Sequence, residues 1–171
     1  GVFVVVVRHY DPRVEALGSM GLPAVVIGGP LAGGQLPAVW HDEAAVVIEA
    51  VRYLAALGHR RIARVAGVAD YVHTEERTRA FHDTTRELGL AAEVVSTDYT
   101  PESGARATRR LLSAPEPPTA ILFDTVTRAN SALDAGDAAG AAPLVAAVGA
   151  MCRAVGLELR VTGADAVPDD V

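Results

Sequence analysis

Side chains able to do chemistry are sparse in this sequence, and their spacing excludes more reactions than it offers. Serine, histidine and acidic residues are present, yet no Gly-x-Ser-x-Gly turn holds a serine nucleophile and no metal-ligand spacing occurs. Neither a metal nor a cofactor is expected, and enzyme chemistry is not. Cys152 is the single cysteine, which excludes an internal disulfide and reads as a small buried apolar side chain. Gly28, Gly29, Gly33 and Gly34 invite a phosphate-loop reading, but the glycine spacing of a dinucleotide or phosphate loop is missing, so the segment reads as a plain loop. His59, Arg60 and Arg61 form a short basic cluster just after a helix, where the negative end of the dipole favours cations without any nucleic acid.

The helix before that cluster is the best-marked element. Val47, Val51, Leu54 and Leu57 recur at three- and four-residue steps, Asp42 can cap the start, and Gly58 can close the end. Strand Ile62 to Val68 follows at once. Upstream, Val2 to Val7 is a β-branched run that predicts a strand covered on both faces, followed by a short helix from Asp11 and Pro12 and a strand over Pro23 to Gly28. Ala38 to His41 reads as a short strand. Downstream, a helix begins near Thr74 with Glu75 and Glu76 in its first turn, Val94 to Ser96 is a strand, Thr100 and Pro101 open a helix, and Thr119 to Phe123 is a buried strand. After Asp124 the periodicity weakens: Asn130 to Ala142 reads as loop or weak helix, Pro143 opens a helix carrying Leu144, Val148 and Met151 before Gly156, and Leu157 to Val161 alternates as a strand.

Strands alternating with helices of this length predict an α/β fold with open parallel sheets flanked by helices, and ligands then bind at the carboxyl ends of the strands. At 171 residues the length suits one large or two small domains. Half of the residues are hydrophobic but only 5% are aromatic, so the core must be mainly Val, Ala and Leu. Fifteen basic against 21 acidic residues leave a net charge of −6, which gives no global attraction to phosphate backbones. The start carries no basic leader and is too short to span a bilayer, so a cytoplasmic location without a membrane partner is expected.

Five segments in order carry a resemblance: Gly21 to Gly28, Val39 to Asp42, Leu57-Gly58-His59-Arg60-Arg61-Ile62-Ala63, Glu76 to Phe81, and Asp98 to Gly104. Together they resemble the effector-binding core of the LacI/GalR family of bacterial transcription regulators over about Gly1 to Phe123, with weaker echoes in Ala147 to Met151 and Val167 to Val171. The resemblance implies two periplasmic-binding-protein-like subdomains closing on a small effector. Residues 1–41 would be a partial, incomplete first subdomain and 42–171 a second one incomplete at its end. It implies a homodimer that reaches DNA only through an N-terminal helix-turn-helix domain absent from this stretch. A solute-binding protein of a transport system shares the architecture and is the alternative.

Carried over by position, the resemblance assigns Arg77 to the effector, where a planar guanidinium fork can grip neighbouring oxygens of a sugar; a helix-surface ion pair is the competing reading. On the first reading Arg77→Ala weakens binding by roughly 1.5–3 kcal/mol and leaves stability nearly unchanged. Tyr99 occupies the place of an aromatic that stacks on the ligand, with a packing role as the alternative. Tyr71 and His73 stand in the loop before the Arg77 helix, where relatives also supply contacts. Asp42 matches a recurrent aspartate, although helix capping accounts for it. Thr125 stands where the family usually has asparagine, and Asn130 is a second candidate for the displaced amide.

Overall fold

The computed structural model describes residues 1–29, 32–125, 144–147 and 160–162, the last two stretches as backbone. Among them are eight strands, in two separate four-stranded sheets, and four helices. The first holds β1 (Val2–Val5), β2 (Ala24–Ile27) and β3 (Ala38–Trp40) in parallel, with β8 (Arg160–Thr162) antiparallel beside β3. The second is parallel throughout, in the order β5 (Ala91–Ser96), β4 (Arg61–Ala66), β6 (Ala120–Phe123), β7 (Leu144–Ala147). Helix α1 (Pro12–Ser19) joins β1 to β2. Helices α2 (Glu43–Ala56), α3 (Val72–Glu87) and α4 (Pro101–Leu112) serve the second sheet. The chain passes from one sheet to the other at His41 and Asp42 and has returned to the first at β8.

Alternation along the strands sorts the second sheet into two faces. Ile62, Ala120 and Leu122 pack against Val46, Val47, Ala50, Val51 and Leu54 of α2 and Ala80 and Phe81 of α3. Ala63, Val65, Ile121 and Phe123 pack against Ala107 and Leu111 of α4. The parallel register sets Arg64 beside Leu122, so Arg64 and Asp124 stand on the α2/α3 face at its carboxyl end. Helix ends follow their capping chemistry: Asp42 accepts from Ala45 N at 2.8 Å, Thr100 accepts from Ser103 N at 3.2 Å, and Gly58, at φ +95°, takes the left-handed turn that closes α2. The basic cluster braces backbone, with Arg60 Nη1 donating to Ala55 O at 3.0 Å and Arg61 Nε to Pro117 O at 3.1 Å.

Several expectations change. Strand β1 is not covered on both faces: Val4 and Val7 are buried against Val14 and Leu17 of α1, but Phe3 is 73% exposed and Val2, Val5 and Val6 are exposed too, because among the described residues a helix packs on one face of the first sheet alone, and Ile27 of the neighbouring β2 is exposed as well. The helix expected from Pro143 meets a strand, since Leu144–Ala147 pairs in parallel with β6; Leu and Ala favour helix by local propensity, and pairing beside a buried strand overrides it. Leu57 caps α2 and is exposed, while Val46 and Ala50 complete the buried stripe. Helix α3 starts at Val72 after Tyr71, which places Arg77 in its second turn and His73 in its first turn instead of the preceding loop. Asn130, Cys152, Val148, Met151 and Gly156, and residues 163–171, lie outside the described residues.

Candidate functional site

Carboxyl ends of β4, β5 and β6 open onto the same edge of the second sheet as the first turns of α3, and most of the candidate residues gather there. Tyr99 follows β5 with a left-handed backbone (φ +69°), held by Asp98, whose Oδ1 accepts from Thr100 N at 3.1 Å and Thr100 Oγ1 at 2.7 Å. That turn folds the tyrosine back over Gly67, where any Cβ would overlap the ring. Its hydroxyl lies 2.9 Å from His73 Nε2 and 3.2 Å from Thr74 Oγ1. Tyr71 stacks on His73 with centroids 5.6 Å apart and stands 6.1 Å from the Tyr99 ring. Three aromatic rings thus share one wall.

Arg77 forms the next wall. Its Nε donates to Glu43 Oε2 at 2.6 Å, its Nη1 is 3.9 Å from Asp124 Oδ1, and its side chain is 12% exposed. The ion pair of the competing reading is present, but it is buried instead of lying on the helix surface, since helix α3 turns this side chain inward onto the first turn of α2. The expectation that Arg77→Ala leaves stability nearly unchanged rested on a surface position; with the pair buried, the change would leave Glu43 with His41 alone. Beneath lies Arg64, wholly buried, with Nε and Nη2 donating to Asp124 Oδ1 at 3.1 and 2.9 Å and Nη2 also to Oδ2 at 2.9 Å. Arg64 Nη1 donates to Thr78 Oγ1 at 2.7 Å, and Thr78 Oγ1 donates to Thr74 O at 2.6 Å. Asp124 Oδ2 also accepts from Gly67 N at 3.0 Å. One polar chain thus runs from Asp124 through Arg64, Thr78 and Thr74 to Tyr99 and His73.

Titration follows these contacts. Burial pushes the Arg64 guanidinium down against the pull of Asp124. Burial works against ionisation of Glu43, yet His41 and Arg77 outweigh it and hold the carboxyl below its usual range. His41 is raised by Glu43, whose Oε1 lies 3.1 Å from Nε2 without the alignment of a hydrogen bond. Burial, then Arg77, lowers His73, so this imidazole is favoured neutral.

The first sheet's loops reach the same edge. Val72 N donates to Val7 O at 3.2 Å, the Arg8 guanidinium carbon lies 5.7 Å from the Tyr71 ring centroid, and His9 Nε2 is 2.5 Å from Glu75 Oε2. Arg13 and Asp11 brace that loop: Asp11 Oδ2 accepts from Arg8 N at 3.2 Å, and Arg13 Nη2 donates to Val6 O at 3.0 Å.

Of the six candidates, Arg77, Tyr99, Tyr71 and His73 come together. Thr125 follows Asp124 at the end of β6, partly exposed. Asp42 spends its carboxylate on capping α2 through Ala45 N, and it is its neighbour Glu43 that meets the Arg77 side chain. The sequence reading missed Arg64, Glu43, Asp124, His41 and Gly67. One signal was available: a lone arginine inside a buried strand demands a carboxylate, and Asp124 ends the adjacent buried strand. Among the described residues no group of three or more His, Cys, Asp or Glu could hold a metal, and no helix is long and apolar enough to cross a membrane.

Comparison with known proteins gives a consistent set. The periplasmic binding protein-like domain matches residues 51–168. The HTH-type transcriptional regulator AglR of Rhizobium meliloti is 34% identical over 145 residues, covering 82% of this chain and 41% of the regulator, so the chain spans less than half of that relative. A LacI family transcriptional regulator from Bifidobacterium animalis subsp. lactis has a crystal structure that superposes with a TM-score of 0.75 at 37% identity, over 81% of this chain and 51% of that one. A complex of the transcriptional regulator CelR with cellobiose superposes with a TM-score of 0.74 at 31% identity, over 86% and 47%.

Proposed function

Because the chain belongs to the periplasmic binding protein-like domain family, as a LacI-family effector-binding core, we propose that it senses a small hydroxylated molecule, a sugar, in the cleft between its two subdomains. The observation that carries this reading is the grouping of Arg77, Tyr99, Tyr71 and His73 at the strand ends, opposite the Arg8 loop of the first subdomain. Aromatic faces pack on the apolar faces of a pyranose while guanidinium and imidazole N–H groups reach its hydroxyls. The similarity to CelR supports the ligand class, since that regulator is held in complex with cellobiose.

On this reading residues 1–41 contribute the first subdomain and residues from 42 the second, with β8 returning to the first sheet. The whole protein is a homodimeric regulator, not an enzyme, and it reaches DNA through an N-terminal domain outside this sequence. A net charge of −6 fits a part that does not itself grip the phosphate backbone.

The test is calorimetric titration of the full-length protein with cellobiose and a panel of other uncharged mono- and disaccharides, beside an operator-release assay. Binding by one member, weakened at least about tenfold in a folded Tyr99→Ala variant, is expected. Sugar binding that Tyr99→Ala and Arg77→Gln both leave intact would place the ligand elsewhere.

A further inference from the structure

Arg77 is the guanidinium that an anionic ligand would seek, and it is already opposed by two carboxylates. Glu43 accepts from its Nε at 2.6 Å, and Asp124 lies 3.9 Å from Nη1. The second guanidinium, Arg64, is committed to Asp124 and Thr78 and is wholly buried. Glu43 faces a basic side chain at each oxygen, with Arg77 on Oε2 and His41 on Oε1. Even with His41 protonated, Arg77, Arg64 and His41 exceed Glu43 and Asp124 by one positive charge already set against Glu43, and Arg8 over the Tyr71 ring belongs to the opposite loop. His73, favoured neutral by its burial, adds no charge to the wall.

From this arrangement we propose that Glu43 and Asp124 set the charge class of the ligand: by neutralising Arg77 they make the site take an uncharged hydroxylated molecule and exclude its phosphorylated or carboxylated counterpart. The inference rests on the reading of this cleft as the effector site. An entering phosphate or carboxylate would come within a few ångströms of two like charges, one of them held by a partner it cannot leave without stranding Arg64. A neutral hydroxyl meets no such repulsion and can take a remaining guanidinium N–H.

The probe is inorganic phosphate, titrated at constant ionic strength into the full-length protein, wild type beside Arg77→Gln, Glu43→Gln and the double variant, with thermal melts to establish folding. Wild type should show no phosphate binding that depends on Arg77. Glu43→Gln, which keeps size and an acceptor oxygen but removes one charge, should bind phosphate at least about tenfold more tightly than wild type, and the double variant should lose the gain. Arg77-dependent phosphate binding by the wild type overturns the proposal, as does a folded Glu43→Gln that gains none. Should Glu43→Gln not fold, the wild-type comparison with Arg77→Gln decides alone. Silence toward every uncharged sugar, with phosphate excluded by wild type and admitted by Glu43→Gln, removes the sugar reading while upholding the exclusion of anions by Glu43.

Discussion

Asp124→Asn should be among the most damaging isosteric changes in the molecule. Asp124 accepts three bonds from Arg64 at 2.9–3.1 Å and one from Gly67 N at 3.0 Å, and both charged side chains are fully buried. Asparagine keeps one acceptor oxygen and turns the other into a donor facing donors. Arginine cannot shed its proton within reach of neutral pH, so the change leaves a buried cation uncompensated, which costs about 3–5 kcal/mol. Small domains have only about 5–15 kcal/mol in total. With a urea slope of about 2 kcal/mol per molar, the unfolding midpoint should fall by roughly 1.5–2.5 M. Adding Arg64→Met removes the stranded charge while the new amide oxygen still accepts from Gly67 N, and the double variant should recover to within about 1 kcal/mol of wild type. Equilibrium urea unfolding followed by circular dichroism measures all three. A single-variant loss below about 1 kcal/mol, or a double variant no better than the single, would refute the reasoning.

Three further outcomes are expected. Gly67→Ala should push the Tyr99 ring off its seat and break its contacts with His73 and Thr74, so ligand affinity falls while the melting temperature moves little; calorimetry and a melt on one sample check this. His41 and His73 should bend the stability–pH curve in opposite ways. Glu43 raises the folded His41 above 6.5, so its contribution is complete below 6.5 and is lost as pH climbs through the folded value; burial lowers the folded His73, so stability falls as pH drops below 6.5. His41→Gln should flatten the alkaline side and His73→Gln the acid side, and urea midpoints between about pH 5 and 8 would show it, with identical slopes in both variants counting against the assignment. Arg77→Ala should lower both affinity and stability, the latter by more than the few tenths of a kcal/mol of a surface pair; unchanged unfolding would mean that Glu43 finds another partner.

Elements with strong local grammar were legible in the sequence. Asp42, Thr100 and Gly58 sit at helix ends for reasons of backbone hydrogen bonding and chirality that act within four residues, so α2 and α4 open and α2 closes where the side chains say they must. The order of elements up to β6 followed from alternation, and the division into two sheets from the family resemblance. What local grammar cannot supply is which face of a sheet is packed. Val2 to Val6 has the composition of a covered strand, and only knowledge of its neighbours shows that Phe3 is exposed. The same limit explains Leu144–Ala147, where a proline before an apolar run suits a helix start and a strand start alike.

The site divides along the same line. Arg77, Tyr99, Tyr71 and His73 were picked out by position within a family pattern, and the structure brings them together. Glu43, Asp124 and Arg64 were passed over because each has an innocent local reading: an acid in a first helical turn, an acid after a strand, a charge within a strand. Their meaning is in the pairings across 60 residues from Arg64 to Asp124 and 34 residues from Glu43 to Arg77. Burial changes the logic of such residues. An exposed Arg64 would need nothing, whereas a wholly buried one must be matched by a carboxylate, and that carboxylate then stands at the strand ends where a ligand would enter. On the function proposed above, the charge that completes the core is also a wall of the site, and neither role can be altered without the other.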